Sequence, residues 1–498
     1  ENERLRVNEI YSMGRNTDPP SHPIRNISEF EPMSGALIRY PFGIPIDLIE
    51  EMAQDVTIYC LVSSDQQDPA YNSMSAGNVN MDNVEFILGS TDSYWTRDYG
   101  PWWIIDGERR VSVVDFTYNR PRPNDNDAPL KISNYLDVPY FSADIVHCGG
   151  NYMTDGLGIS ASTDLVFEEN NISNEQVFSI MENYYGINTY HVVPDPNNTY
   201  IDHIDCWGKY LSPTKVLIRE VPSTHPQYNE IEEIANYFAT STTKWNEPWE
   251  LYRVWTPTNQ AYTNSMILNN KVFVPVFSSS WDEEALAVYS EAMPGYEVIG
   301  FSGSWESTDA LHCRIKGIPD LQMLQIFHNP LNDSIPPDSD GYNISVIVDD
   351  LGGTGLISDS MKIFWKTDEL NSWNSAPLLR ISENENSNEW SGWIPALVDS
   401  NYIDYFIMSA DSSGRVEYNP PAGWHRFFAN PTNVCLEWLI GDLDNSGDVN
   451  IIDVLLLADQ IVNGSISGNC SGFVSDINDD NQITLVDILL LVSMISNP

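Results

Sequence analysis

Four side chains, far apart in the chain, make a set that could attack a planar cation. Asp98 stands in Trp95-Thr96-Arg97-Asp98-Tyr99-Gly100-Pro101, His203 and Asp205 in His203-Ile204-Asp205, and Cys313 in Leu311-His312-Cys313-Arg314. Paired carboxylates can hold a guanidinium in its plane by charge-assisted hydrogen bonds. A thiolate can then attack its carbon while an imidazole moves protons. Loss of ammonia would leave a covalent thiouronium, which water would convert to a ureido group. His312 is the lesser candidate for proton transfer: neighbours in an extended segment point opposite ways, so that role is assigned to His203. The step needs no cofactor, and without CxxC or a further His or Cys at short spacing a zinc site is not expected.

These residues must be positioned by a region that mixes two periods. Val84–Leu88, Val111–Phe116 and Lys271–Val276 read as strands, and the segments 175–185, 228–239 and 282–292 carry helical spacing. Alternating strands and helices make this region α/β. The Pro-, Asp- and Ser-rich stretch from Pro330 to Asp338 reads as a linker. Beyond it Asn343–Val348, Met361–Trp365 and Tyr402–Met408 are strand-like, followed by a turn at Ala410–Gly414. This stretch suits a β-sandwich of immunoglobulin type. The expected domains are 1–328, 329–432 and 433–498.

The last of these contains a repeat. Two acidic loops lie 34 residues apart, and each leads into an apolar helix. Calcium takes six to eight oxygen ligands, which a 12-residue loop presents at fixed positions. The first copy offers Asp442, Asp444, Ser446, the Asp448 carbonyl, Asn450 and Asp453. The second offers Asp476, Asn478, Asp480, the Gln482 carbonyl, Thr484 and Asp487. Gly447 and Asn481 tolerate the positive φ needed at the sixth position. Two bound calcium ions are expected. The pattern resembles a dockerin module, which implies a cohesin-type partner. The apolar pairs Ile451-Ile452 and Leu485-Val486 leave packing against the sandwich as the other use of this surface. Cys435 and Cys470 stand near-symmetrically before the two loops, and a disulfide between them would need an oxidising compartment.

Trp95-x-Arg97-Asp98-x-Gly100-Pro101, Cys148-Gly149-Gly150-Asn151, His203-x-Asp205 and His312-Cys313, in that order, resemble the agmatine deiminase/bacterial peptidylarginine deiminase superfamily over roughly residues 1–328. The resemblance implies a pentein fold, an α/β propeller of five ββαβ units around a central channel that holds the active site. It implies Asp98 and Asp205 as guanidinium ligands, His203 as the proton carrier and Cys313 as the nucleophile. Trp95, Tyr200, Ile201 and Asn264 are implied to surround the substrate. Arg120 and Arg122 follow Asp98 by 22 and 24 residues, similar to the carboxylate-binding pair of the bacterial peptidylarginine deiminases. In an extended segment their i, i+2 spacing puts both on one face. The expected substrate is therefore peptidyl arginine, preferably C-terminal. Agmatine deimination, amidino transfer, or an inactive scaffold acting through the dockerin-like module are the other readings.

Bulk composition excludes several partners. With 71 acidic against 24 basic residues the net charge is −47, which repels nucleic acid and anionic membranes and favours cations. No stretch approaches the roughly 20 apolar residues needed to span a bilayer. A first residue of Glu rather than Met fits a removed leader, so export is expected.

Overall fold

Runs of β-branched and aromatic residues become strands covered on both faces. Every residue of Val111–Tyr118 is buried in the computed structural model. That structure describes residues 2–496 except 259, 333, 339, 371, 382–387, 398–399, 431–438, 445, 464–473 and 479–482. The strands expected from residues 84, 111 and 271 and the helices expected near 175, 228 and 282 are all present.

Up to residue 319 five sheets share one plan: an antiparallel pair, a helix, then a third strand parallel to the second. One is Trp102–Ile105, Val111–Tyr118 and Tyr140–His147, with the helix Ala128–Leu136 between the last two. The next is Met153–Thr154, Ile159–Thr163 and Thr189–Val193, around Asn174–Tyr185. Then come Gly208–Ser212, Lys215–Glu220 and Glu250–Trp255, around Tyr228–Thr240. Met266–Leu268, Lys271–Val276 and Glu297–Ser302 follow, around Asp282–Ala292. The remaining sheet uses both ends of the region. Met33–Arg39 pairs antiparallel with Lys316–Pro319 and, past the helix Ile46–Asp55, parallel with Thr57–Val62. A fourth strand, Val84–Leu88, extends it. The chain thus closes the set on itself.

The helices form for local reasons. Asn174–Tyr185 starts at a capping box, in which Ser173 and Gln176 satisfy each other's backbone N–H groups. It ends at Gly186 with φ +70°, where a Cβ would lie 2.3 Å from the Ile24 carbonyl oxygen. In Tyr228–Thr240 the buried residues Ile231, Ile234, Ala235 and Phe238 form one stripe against the sheet.

The following region is β-rich. Leu324–His328 already belongs to it, pairing with Tyr342–Asp350, which in turn pairs with Glu389–Ile394. A second sheet contains His425–Ala429, Asn401–Ala410 and Lys362–Thr367. Ile344, Val346, Trp390, Ile363, Tyr405, Ile407 and Phe427 from the two sheets share one core. Arg415 joins it to the first region by a forked pair with Asp320 at 2.7 and 3.0 Å. Finally, helices Ile451–Asn463 and Leu485–Ser496 pack through Leu457 and Leu491 with Leu443 and Val474. No helix among the described residues is long and apolar enough to cross a membrane.

Candidate active site

Each of the five sheets is entered by a short loop just before its first strand, and the sequence motifs fall on these loops. Thr96–Tyr99, Gly149–Asn151, Ile204–Cys206 and His312–Arg314 are single helical turns. The fifth loop, Ala261–Ser265, precedes Met266. Their convergence explains one glycine. A Cβ on Gly150 would lie 2.6 Å from Asp98 Oδ1, 2.8 Å from His203 Nδ1 and 3.3 Å from Asp205 Oδ2. Only a bare backbone lets these three polar groups crowd together.

Cys313 is 2% exposed, and its Sγ lies 3.6 Å from Asp205 Oδ2. Asn264, expected beside the substrate, holds the nucleophile turn. Its Oδ1 accepts from the backbone N–H of Ala310 at 3.1 Å and of Cys313 at 3.3 Å, and its Nδ2 lies 3.2 Å from the sulfur. Arg314 clamps the same turn through two 2.8 Å bonds to Asp309, its guanidinium lying against Tyr94 and Trp305. Burial, then Asp205, Asp309 and Asp98, push the Cys313 thiol well above its ordinary range. Both effects favour the thiol over the thiolate.

The two carboxylates are driven apart. Burial and the neighbouring Asp205 raise Asp98 to about 8. Asp205 is equally buried, yet its bond to His312 holds it below the usual carboxylate range. His203 lies 3.9 Å from both Asp98 Oδ1 and Cys148 Sγ, and burial lowers it to about 3, so its ring is neutral. Asp98 Oδ1 and His203 Nε2 are buried without a hydrogen-bond partner, which is the state of groups awaiting a ligand. Asp98, Cys148 and His203 present donor atoms within 4.8 Å of one another. Burial raises both that carboxyl and that thiol.

His312 is placed differently from the expectation. The segment is a helical turn rather than extended, so His312 and Cys313 both reach Asp205. Its Nδ1 lies 2.8 Å from Asp205 Oδ2 and its Nε2 2.7 Å from Glu29 Oε2. Glu29 also pairs with Arg97 and Lys209, each at 2.6 Å. Glu29 and Lys209 carried no signal in the sequence. The adjacency of His312 to the nucleophile did.

At the mouth, the premise of an extended arginine pair fails. The backbone N–H of Arg122 bonds the carbonyl of Arg120 at 2.7 Å, folding the segment into a bend. Arg120 turns inward, 8% exposed, with Nη1 on the Asn119 carbonyl at 2.9 Å and close enough to Asp98 to lower that carboxyl. Arg122 lies 4.6 Å over the Trp95 ring and binds the Glu3 carboxylate through Nη2 at 2.6 Å and Nε at 3.3 Å. Tyr200 is exposed, and its carbonyl takes Arg4 Nη1 at 2.8 Å; Ile201 packs against the core.

The acidic repeat is a separate site. Asp453 accepts from the N–H of Leu443 at 2.7 Å and of Asn450 at 2.8 Å. Asp487 accepts from Ile477 at 2.9 Å and Thr484 at 2.8 Å, the equivalent positions one repeat later. Carboxylate oxygens of Asp442, Asp444 and Asp453 lie within 4.8 Å of one another. Ser446 Oγ and Asn450 Nδ2 bond the Asp448 carbonyl, at 3.2 and 3.0 Å. Asp480 and Gln482 lie outside the described residues, as do Cys435 and Cys470, while Asp476 and Asn478 are inside them. Ile451, Ile452, Leu485 and Val486 are more than half exposed or close to it, so they are not packed on the sandwich.

Residues 44–319 match the sequence family of Porphyromonas-type peptidyl-arginine deiminases. The chain is 25% identical over 299 residues to the agmatine deiminase of Medicago truncatula, covering 48% of this chain and 79% of that one. Against the agmatine deiminase of Ectopseudomonas mendocina it is 23% identical over 278 residues, covering 45% and 73%. The solved agmatine deiminase of Enterococcus faecalis superposes with a TM-score of 0.54 at 17% identity, over 61% of this chain and 99% of that one. At that identity the likeness is one of fold.

Proposed function

Because this chain belongs to the Porphyromonas-type peptidyl-arginine deiminase family, with its pentein fold across residues 44–319, we propose that it converts peptidyl arginine, preferably C-terminal, to peptidyl citrulline and ammonia. The reaction class is hydrolysis of an amidine C–N bond. The observation that carries the choice of substrate is that Arg122, stacked on Trp95, already holds a carboxylate, that of Glu3, at 2.6 Å. Agmatine ends in a second cation and has no such group to offer. Agmatine remains the second reading because the similar curated proteins bear that name.

The substrate guanidinium would lie between Asp98, whose buried Oδ1 lacks a hydrogen-bond partner, and Asp205. Its arrival displaces the proton of Asp98 and places a cation beside the Cys313 thiol, favouring thiolate. The sulfur bonds to the guanidinium carbon. Neutral His203 takes the thiol proton and passes it to the departing nitrogen, and the C–N bond breaks with release of ammonia. His203 then takes a proton from water as its oxygen attacks the thiouronium. The S–C bond breaks, leaving a ureido group and the free thiol.

Citrulline formation from a peptide ending in Arg, from its C-terminal amide and from agmatine tests the reading. Turnover of the free-carboxylate peptide alone supports it; turnover of agmatine alone defeats it. Such a peptide must also displace Glu3. Glu3→Ala is therefore expected to lower its KM by about twofold to fivefold, with no change in the KM of the amide or of agmatine; the range corresponds to a partly exposed ion pair.

For the C-terminal module we propose a dockerin-type role outside the cell, joined to the catalytic region by an immunoglobulin-like sandwich. One calcium ion would be held by Asp442, Asp444, Ser446, Asn450, Asp453 and the Asp448 carbonyl. A second would use Asp476, Asn478, Thr484 and Asp487. The exposed apolar pairs would meet a cohesin-type partner. Chelation should lower the unfolding temperature of this module and leave kcat of deimination unchanged, as followed by calorimetry and ammonia release. An unchanged melting profile on chelation would remove the calcium reading.

A further inference from the structure

Beside Asp205 and His312 lies a small cavity of about 40 Å³, lined also by Glu29, Arg97, Lys209 and Lys316. Glu29 is at its centre of charge. Oε1 accepts from Lys209 at 2.6 Å and from the Ile267 backbone N–H at 2.9 Å. Oε2 accepts from Arg97 at 2.6 Å and meets His312 Nε2 at 2.7 Å. The donors arrive on the loop before Trp102, the strand Gly208–Ser212, the strand Met266–Leu268 and the turn His312–Arg314, so one carboxylate ties four of the five units together.

The ring of His312 has a carboxylate oxygen within 2.8 Å of each nitrogen. A neutral imidazole has one N–H, and its other nitrogen would set a lone pair against a carboxylate. The ring meets both partners only with two N–H groups. We propose that Glu29 holds His312 as an imidazolium, and that this ring positions Asp205 and keeps it ionised for the guanidinium. The inference rests on the reading of Asp205 as a guanidinium ligand. Glu29 is a positioning residue and acts through His312.

Charged and titratable groups surround the Glu29–His312–Asp205 line on every side. Glu29 faces Arg97, Lys209 and His312, and Lys316 lines the same cavity with its ammonium 3.6 Å from the Trp102 ring centre. Asp205 faces His312, His203 and Arg97, with Cys313 and Cys206 sulfurs at 3.6 and 3.8 Å. Burial, then Arg97 and Lys209, lowers His312 from its ordinary value against the opposing pull of Glu29 and Asp205. The case for the second N–H is geometric: a carboxylate oxygen stands 2.7 Å from Nε2 and another 2.8 Å from Nδ1.

The test is made on the full chain labelled with ¹⁵N-histidine, with His312 assigned by the resonances missing from His312→Gln. Two protonated ring nitrogens on His312 at neutral pH are expected in the wild-type protein; a single one overturns the proposal, whatever the substrate proves to be. Glu29→Gln supplies the kinetic arm. It should move the lower acid limb of kcat/KM, that of Asp205 and distinct from the Asp98 limb at about 8, upward by about one pH unit, a tenfold loss on that limb, with recovery to within about threefold above it. An equal loss at every pH would show a structural role only and also overturn it. If the wild-type protein binds no amidine and turns over no guanidine substrate, the substrate reading fails, and the spectrum still decides the state of His312.

Discussion

Replacing Cys313 by Ala is expected to reduce ammonia release by at least about 10⁴-fold, to the background rate, while amidine binding persists. The sulfur forms the covalent bond on which both halves of the reaction depend, so no other group substitutes for it. Binding should survive because the cation is held by Asp98 and Asp205 rather than by sulfur. Mass spectrometry with a haloacetamidine should find one adduct on the wild-type protein and none on Cys313→Ala. Neutral iodoacetamide should react slowly with the free protein, since burial and three acidic neighbours keep the thiol protonated. Rapid labelling by iodoacetamide, or turnover by Cys313→Ala, would remove the thiol from its assigned place.

Asp98→Asn should have the next largest effect, a fall in kcat/KM of about 10²–10³-fold. One partner of a buried charge pair is lost, worth roughly 3–4 kcal/mol. The pH dependence is specific to this residue. Burial and Asp205 raise Asp98 to about 8, and a guanidinium requires its carboxylate. Cation binding below that pH should release a proton, and kcat/KM should climb as pH approaches 8. Calorimetry in buffers of different ionisation enthalpy reads the proton, and Asp98→Asn should abolish it. Linkage fixes the sign for stability as well. The folded pKa lies above the unfolded value, so this group's favourable contribution is present at low pH and is lost as pH rises through about 8. The free protein should therefore lose this stability between the ordinary carboxylate range and about pH 8 and level off above it, and a bound amidine should cancel the effect. A flat kcat/KM from pH 6 to 9 would contradict the assignment.

Much of the site was legible because reactive residue types are rare and were flanked by glycine and aromatic residues. Asp98, His203, Asp205 and Cys313 come together as their order suggested, on loops entering three different sheets, His203 and Asp205 sharing one. What escaped was direction. The expectation for His312 assumed an extended segment, and the structure has a helical turn, so neighbouring side chains reach the same carboxylate. The expectation for Arg120 and Arg122 made the same assumption at a bend. Asn264 was placed among substrate contacts, without its bonds to the backbone and sulfur of the nucleophile turn.

Glu29 shows where reading along the chain stops. It sits in Ser28-Glu29-Phe30-Glu31, a run that looks like any surface turn of an acidic protein, and its partners are Arg97, Lys209 and His312. Residue type and hydrophobic period determined the α/β class, the acids and nucleophile of the site and the repeat of acidic loops, since these depend on local chemistry. Tertiary structure alone decided which oxygen faces which nitrogen, and therefore which residues position Asp205 and which guard the mouth. Five units closing through Lys316–Pro319 on Met33–Arg39 bring Glu29 and His312 to 2.7 Å, although 283 positions separate them. Hydrogen-bond geometry is set at a scale of tenths of an ångström by that closure, and sequence spacing carries no record of it.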